Sequence, residues 1–123
     1  MRTPAAVVYL CTADDTTSRQ LYINWCTNRA TAEDLPVSEV ITDHDELLPA
    51  VERVGWQRVT ELAAAGSVAA VVTVIRSMVA PDFRTWRRLA DRLAEQGVTL
   101  LTMRPPGKAL RDGDDLTILG AQL

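Results

Sequence analysis

Histidine, cysteine and long apolar runs are scarce in this sequence of 123 residues. It has one histidine, His44, and two cysteines, Cys11 and Cys26, which form no CxxC pair. A metal cage would need these three residues and several carboxylates to converge, in a spacing that matches no common zinc site. We therefore expect no metal, no cofactor and two reduced thiols, as is usual in a cytoplasmic protein.

The apolar runs are far shorter than the roughly 20 residues that a membrane-spanning helix needs. The first run ends in acidic residues instead of a small-residue cleavage site, which predicts a strand and not a signal peptide. The formal net charge of −3 gives no general attraction for nucleic acid, so DNA binding would need a local basic patch. These features predict a cytoplasmic protein with no membrane contact.

A strand–helix–strand unit between Ser67 and Arg104 organises the rest of the chain. Its central helix has Pro81 in the predicted first turn and an apolar stripe at helical spacing: Phe83, Trp86, Leu89, Ala90, Leu93 and Ala94. A helix is also predicted from Trp56, where Trp56, Val59, Leu62 and Ala63 are spaced three and four residues apart. Gly66 and Gly97 are placed to end these two helices. The predicted strands are Ala5–Leu10, Val37–Thr42, Val68–Val74, Val98–Met103 and a short one at Leu116–Leu119.

Strands that alternate with helices predict one α/β domain over residues 1–123. We expect three layers and a four- to five-stranded, mostly parallel sheet with right-handed βαβ crossovers. The first helix is predicted at Thr17–Ala30, with Leu21, Trp25 and Cys26 on its apolar face. Loops that follow strand carboxyl ends are where such proteins place their functional sites.

Two of these loops carry groups that allow more than one interpretation. Asp14 and Asp15 follow the first strand, as does the acidic pair of a phospho-acceptor receiver domain, but they also suit the cap of a helix. Cys11 at the strand end could be a nucleophile, which would require a base or a positive field to form thiolate. A buried structural thiol is favoured, because no glycine-rich phosphate loop follows.

Arginines line the polar side of the third predicted helix: Arg84, Arg87, Arg88 and Arg92, with Arg76 and Arg104 at its flanks. Such a face can contact phosphates. Asp91 and Glu95 are interleaved, however, and the spacing of Arg88, Arg92 and Glu95 allows local ion pairs. The sequence therefore favours a solvated, ion-paired face and leaves nucleic-acid contact as the alternative.

The segments Tyr9–Asp14, Arg53–Trp56 and Gly97–Val98, within residues 5–104, resemble the N-terminal catalytic domain of serine recombinases, the resolvase/invertase family. Where that family has Tyr-x-Arg-Val-Ser-Thr, this chain has Tyr9-Leu10-Cys11-Thr12-Ala13-Asp14. An Asp after the second strand is matched by Asp43, and an Arg-Pro-Gly-apolar step by Arg53-Val54-Gly55-Trp56. The family's Asp-Arg-Leu-x-Arg-Ser is replaced by Arg76-Ser77-Met78-Val79-Ala80-Pro81, and its Gly-Val helix end is matched by Gly97-Val98. The resemblance implies a resolvase-like fold.

The resemblance fails at the residues that carry the family's chemistry. In serine recombinases a Ser attacks a DNA phosphodiester and clustered arginines stabilise the developing charge. Here Ala13 stands at the Ser position, Cys11 at the first Arg, Arg76 and Ser77 at the Asp-Arg pair, and Ala80 at the later Arg. Arg53 matches a functional position and Asp43 does so less closely. The family's long helix after the fourth strand is replaced by Pro105-Pro106-Gly107.

These departures predict a catalytically inactive, recombinase-like domain that acts in self-association or in binding a protein partner. One alternative is a DNA-associated accessory protein that uses the arginine face from Arg84 to Arg92. Another is a phosphate- or nucleotide-binding domain that uses Arg53, Asp43 and the Asp14/Asp15 loop.

Overall fold

Strands and helices alternate strictly along residues 4–103, the part of the chain that the computed structural model describes. Within this range the predicted α/β class is confirmed, and its sheet is entirely parallel. The strands are β1 (Ala6–Cys11), β2 (Val37–Asp43), β3 (Ala70–Thr73) and β4 (Thr99–Thr102). The helices are α1 (Thr16–Ala32), α2 (Val54–Ala64) and α3 (Phe83–Glu95), with short 3₁₀ turns at Ala50–Glu52 and Arg76–Met78. The strand predicted at Leu116–Leu119 and the Pro105–Gly107 break lie outside the described residues.

The strand order β2-β1-β3-β4 puts β1 and β3 in the middle of the sheet. All residues of these two strands are buried, as expected for parallel strands covered on both faces. Right-handed crossovers place α1 on one face and α2 and α3 on the other. β1 lies between strands reached by crossovers in opposite directions, so a crevice is expected at its carboxyl end. In the register of β1 and β2, Cys11 at the end of β1 lies beside Asp43 at the end of β2.

Aspartates cap the amino-terminal ends of two of the helices, as their sequence positions indicate. The Asp15 carboxylate accepts the Ser18 N–H at 2.9 Å, and the Asp82 carboxylate accepts the Thr85 N–H at 2.8 Å. Because Asp82 is the cap, α3 begins at Phe83, and the prediction that Pro81 lies in the first turn is wrong. Gly66 and Gly97 follow α2 and α3 at φ values of 71° and 80°, which confirms their predicted role in ending these helices.

The predicted apolar faces of α1 and α3 need correction. Cys26 faces the core, whereas Leu21 and Trp25 are substantially exposed. The buried residues of α1 are Cys26, Arg29 and Ala30. The face that meets the core is therefore centred on the line through Cys26 and Ala30, and Leu21 and Trp25 lie to one side of it. In α3 the buried positions are Leu89 and Leu93, and Phe83 is exposed at the first position of the helix.

Candidate functional site

Three polar side chains meet beneath the carboxyl ends of β1 and β2. The buried Tyr9 hydroxyl donates to Oδ2 of Asp43 at 2.7 Å. The same hydroxyl oxygen accepts a hydrogen bond from Nη1 of Arg53 at 3.2 Å. Tyr9 is therefore both donor and acceptor, and it links a carboxylate on β2 to a guanidinium that precedes α2.

The Asp43 side chain also caps the amino-terminal end of helix α2, although Asp43 lies well before that helix in the sequence. Its two carboxylate oxygens accept the N–H groups of Gly55 at 2.9 Å and Trp56 at 3.1 Å. These N–H groups lie at the positive end of the helix dipole, where an anion is stabilised. A Cβ atom on Gly55 would lie 2.5 Å from Oδ2 of Asp43, so only glycine allows this approach. Both carboxylate oxygens of Asp43 are occupied by the protein itself.

Arg53 is turned into the protein and is only 3% exposed. Its guanidinium donates to three backbone carbonyls as well as to Tyr9: Nε to Leu48 O at 2.8 Å, Nη1 to Met78 O at 2.7 Å and Nη2 to Glu46 O at 3.2 Å. The carbonyls belong to the segments that follow β2 and β3. Arg53 therefore holds two carboxyl-edge loops together, and its donors are directed at protein acceptors.

Burial controls the ionisation of the neighbouring Tyr and Cys side chains. Burial raises the pKa of Tyr9 far above its ordinary value, which the Arg53 hydrogen bond offsets only in part, so the hydroxyl keeps its proton and donates to Asp43. The Trp56 ring packs edge-on against Tyr9 with centroids 5.1 Å apart. Burial also raises the pKa of the Cys11 thiol, and raises that of Cys26 to about 12. Both thiols are free and buried, as favoured from the sequence.

A groove opens beside this network, between the segment 46–51 and helix α3. Its volume is about 420 Å³, and an adjoining shallower depression between α2 and α3 adds about 750 Å³. Arg53 lines the groove, as do Arg88 and Arg92 of α3. The groove is the concave feature next to the residues that the family resemblance marks.

Solved structures with a similar fold include the catalytic domain of a serine recombinase. The C-terminal catalytic domain of ISC1926 TnpA, an IS607-like serine recombinase, superposes with a TM-score of 0.68 at 21% identity, over 82% of this chain and 70% of that one. The N-terminal catalytic domain of TP901-1 integrase gives 0.66 at 16% identity, over 80% and 76% of the two chains. The first open reading frame of transposon ISC1904 from Sulfolobus solfataricus P2 gives 0.62 at 13% identity, over 87% and 72%.

This chain has the serine recombinase catalytic fold. The predicted resolvase-like architecture is thereby confirmed for the described residues. No family model and no curated protein sequence matches the chain. At these identities the likeness establishes the fold and leaves the activity open.

The positions that the resemblance marks lie on the carboxyl-edge loops of this fold, but only some of them interact. Ala13 is exposed after β1, and Ser77 is exposed after β3. Arg76 is half-buried and donates to Pro81 O at 3.4 Å, while Ala80 is fully buried. None of these four residues hydrogen-bonds to the Tyr9–Asp43–Arg53 network among the contacts of residues 4–103.

The Asp14/Asp15 pair is divided between two structural tasks. Asp15 caps α1, and hydrogen bonds from the Ser18 backbone and side chain lower its pKa. Asp14 accepts a hydrogen bond from the Tyr22 hydroxyl, which raises the pKa of Tyr22. Within residues 4–103 no three His, Cys, Asp or Glu side chains are grouped as a metal site would require. The capping interpretation of Asp15 fits this geometry.

The arginines of α3 are exposed: Arg84, Arg87, Arg88 and Arg92. Within the described range none of them forms an ion pair, so the predicted pairing with Glu95 is wrong. Exposed pairs gain little because ordering two long side chains costs entropy. Arg87 instead lies over the Phe83 ring at 5.6 Å, and Arg88 and Arg92 line the groove.

Tyr9 is the member of the network that sequence reasoning missed as a functional side chain. A tyrosine inside a fully buried strand needs a partner for its hydroxyl, and that requirement was the available signal. The carbonyl partners of Arg53 at Glu46, Leu48 and Met78 carried no signal, because every residue type supplies the same carbonyl group.

No helix of residues 4–103 is both long and apolar enough to cross a bilayer.

Proposed function

We propose that this chain is a recombinase-fold domain without strand-exchange activity, whose role is self-association or the binding of a protein partner. The burial of Arg53 carries the proposal. Arg53 is the one arginine that the resemblance retains at a catalytic position, yet it is 3% exposed and donates to three carbonyls and Tyr9. A donor stabilises a reacting phosphate only if it points to where the charge develops.

The nucleophile position supports the same proposal. Ala13 has no side-chain oxygen, and the neighbouring Thr12 hydroxyl is buried and accepts the Asp14 N–H at 2.9 Å. The Thr12 carbonyl is in turn paired with Nδ1 of His44 at 3.1 Å. The hydroxyl next to the vacated position is therefore held in the loop and is not directed outward as an attacking group would be.

Exposed apolar side chains near the same edge support an interaction role. Leu47 is 96% exposed and Val54 is 80% exposed, and they flank the segment that precedes α2. A contiguous patch of exposed apolar side chains is typical of a surface that a partner covers, and Leu47 and Val54 are the candidates for such a patch.

The decisive assay incubates the protein with supercoiled plasmid and measures nicking and covalent protein–DNA capture. We expect neither product from the wild type, nor from Ala13→Ser, because a restored hydroxyl would still lack arginines that face it. Nicked plasmid or a covalent adduct from the wild type would contradict the loss of activity.

The interaction role is measured separately by sedimentation over a range of concentrations and by affinity capture from nuclease-treated lysate. We expect either a concentration-dependent dimer or a retained protein. A chain that remains monomeric and retains nothing would contradict this role.

A second candidate function is DNA association through α3. It is favoured by the four exposed arginines, Arg84, Arg87, Arg88 and Arg92, which lack carboxylate partners among residues 4–103. A mobility shift that weakens steeply with salt and with Arg87→Ala plus Arg88→Ala would support it. The absence of any shift at low salt would remove it.

A further inference from the structure

We infer that the groove between the segment 46–51 and α3 binds an apolar side chain of a partner protein that is flanked by carboxylates. This inference rests on the proposed interaction role and assigns it a surface and a partner chemistry. The groove volume of about 420 Å³ lies in the range of specific ligand sites. The residues that carry the inference are Leu48, Val51, Val79, Leu89, Arg88 and Arg92.

Several side chains that line the groove are apolar. Among them, Val79 and Leu89 are buried and Leu48 is half-buried. Val51 is 56% exposed, and Leu47 is almost fully exposed. An inserted leucine, isoleucine or phenylalanine side chain would remove this surface from water, which is the favourable term in most protein association.

The charges of the groove select the residues beside that anchor. Three arginines line it, against the single carboxylate of Glu46. Arg53 is already committed to carbonyls, but Arg88 and Arg92 are exposed, one helical turn apart, and unpaired within the described range. Two guanidiniums at this spacing suit carboxylates on both sides of an apolar anchor, and charge-assisted bonds to carboxylate are stronger than neutral ones.

An acidic, apolar peptide fits this groove better than DNA does. Contacts to a nucleic-acid backbone need a basic stripe that follows the phosphates. Here the four α3 arginines divide: Arg88 and Arg92 line the groove, whereas Arg84 and Arg87 do not. A binding mode that uses one pair and not the other distinguishes a peptide in the groove from DNA along the helix.

The test uses fluorescein-labelled synthetic peptides in three matched sets. Each peptide carries one Leu, Ile or Phe anchor, flanked by Asp and Glu, by Lys, or by Ser. We expect anisotropy to detect binding of the acidic set alone. Arg88→Glu with Arg92→Glu should weaken that binding by about tenfold or more and transfer preference to the Lys set. Val51→Ser should weaken binding without a change of charge preference.

The control is Arg84→Glu with Arg87→Glu, which makes the same change in net charge on the same helix outside the groove. We expect it to bind the acidic set within about twofold of wild type, since long-range fields are screened by salt. Thermal unfolding of every variant verifies that each is folded. Equal losses from the two double variants, or equal binding of all three peptide sets, would overturn the inference.

Two further outcomes would also overturn it. A short DNA duplex that binds and is lost equally with either double variant would assign α3 to nucleic acid. A dimer that dissociates on Arg88→Glu with Arg92→Glu would make the occupant a second copy of the chain. If the wild type nicks plasmid, the proposed function fails whatever the groove binds. If it does not, and no acidic peptide binds, only the groove inference fails.

Discussion

Arginine side chains have opposite environments on the two sides of the sheet's carboxyl edge. On the β1–β2–α2 side, Arg53 is buried and its donors are met by carbonyls and Tyr9. On the α3 side, Arg88 and Arg92 are exposed beside an apolar groove, with no carboxylate partner among residues 4–103. A cation can serve either to join the protein's own loops or to meet a ligand. Arg53 joins the protein's own loops, whereas Arg88 and Arg92 of α3 are free to meet a ligand.

A residue that matches the family pattern in position need not have the family's role. Arg53 stands where the family resemblance places a catalytic arginine, yet here it joins the segments after β2 and β3. Asp43, the other retained position, is occupied by the first N–H groups of α2. Arg53 and Asp43 each form several hydrogen bonds to other parts of the protein, and these bonds give both residues a structural role that does not require catalysis.

The largest expected effect is that of Arg53→Met, which keeps an unbranched side chain that can pack in the interior but removes every donor. Three carbonyls and the Tyr9 hydroxyl would lose their partner in or near the interior. We expect the free energy of unfolding in urea to fall by about 3 kcal/mol or more. Arg92→Met, on the exposed side of the comparison, should change it by less than about 0.5 kcal/mol. Equal losses of unfolding free energy in the two variants would show that the buried Arg53 stabilises the fold no more than the exposed Arg92 does.

The next effect in size is expected from Gly55→Ala. An added Cβ would lie 2.5 Å from Oδ2 of Asp43, so the carboxylate or the start of α2 must move. We expect urea unfolding to report a loss of about 1–3 kcal/mol, although alanine is otherwise the better helix former. Gln57→Ala, two residues further along α2 and exposed, serves as the control and should be nearly neutral. A stabilised Gly55→Ala variant would mean that Asp43 does not cap α2.

A smaller loss is expected from Tyr9→Phe, which removes the hydroxyl between Arg53 and Asp43 and keeps the ring packed on Trp56. Loss of a buried hydroxyl that both donates and accepts costs about 1–2 kcal/mol. Tyr22→Phe is the matched control, because its hydroxyl also donates to an aspartate, Asp14, but at the exposed surface. Comparable losses of unfolding free energy in the two variants would show that the buried Tyr9–Asp43 hydrogen bond stabilises the fold no more than the exposed Tyr22–Asp14 one does.

Much of the fold follows from the sequence because its signals are local. The apolar runs of β1 and β3 predict strands covered on both faces, and Asp15 and Asp82 mark the residues before two helices. The α1 face was wrong because Leu21 and Trp25 are apolar yet lie one position away from the line through Cys26 and Ala30. Apolar character at helical spacing does not decide which of two adjacent lines is buried.

The candidate site was less predictable because its partners are distant in sequence. Arg53 bonds to Tyr9 and Met78, which are 44 and 25 residues away. The direction of its side chain depends on an extended backbone before α2, with φ −86° and ψ 136°, and on carbonyls that any residue could supply. The sequence marks the position of Arg53 but contains no local signal for whether it points in or out.

The smallest expected effect concerns the exposed helix caps and their dependence on pH. Hydrogen bonds from the Thr85 side chain and backbone hold the pKa of Asp82 below its usual value. A carboxyl whose pKa is lowered by folding contributes its stability above the unfolded-state pKa of about 3.9, and loses it as the pH falls through the folded-state pKa. The urea midpoint of the wild type should therefore exceed that of Asp82→Ala at neutral pH, and the difference should shrink below about pH 4. Asp91→Ala, on the exposed face of the same helix, controls for the change in charge. A difference for Asp82→Ala that persists unchanged through this range would mean that the Asp82 side chain stabilises the start of α3, the helix that presents Arg88 and Arg92, without needing its negative charge.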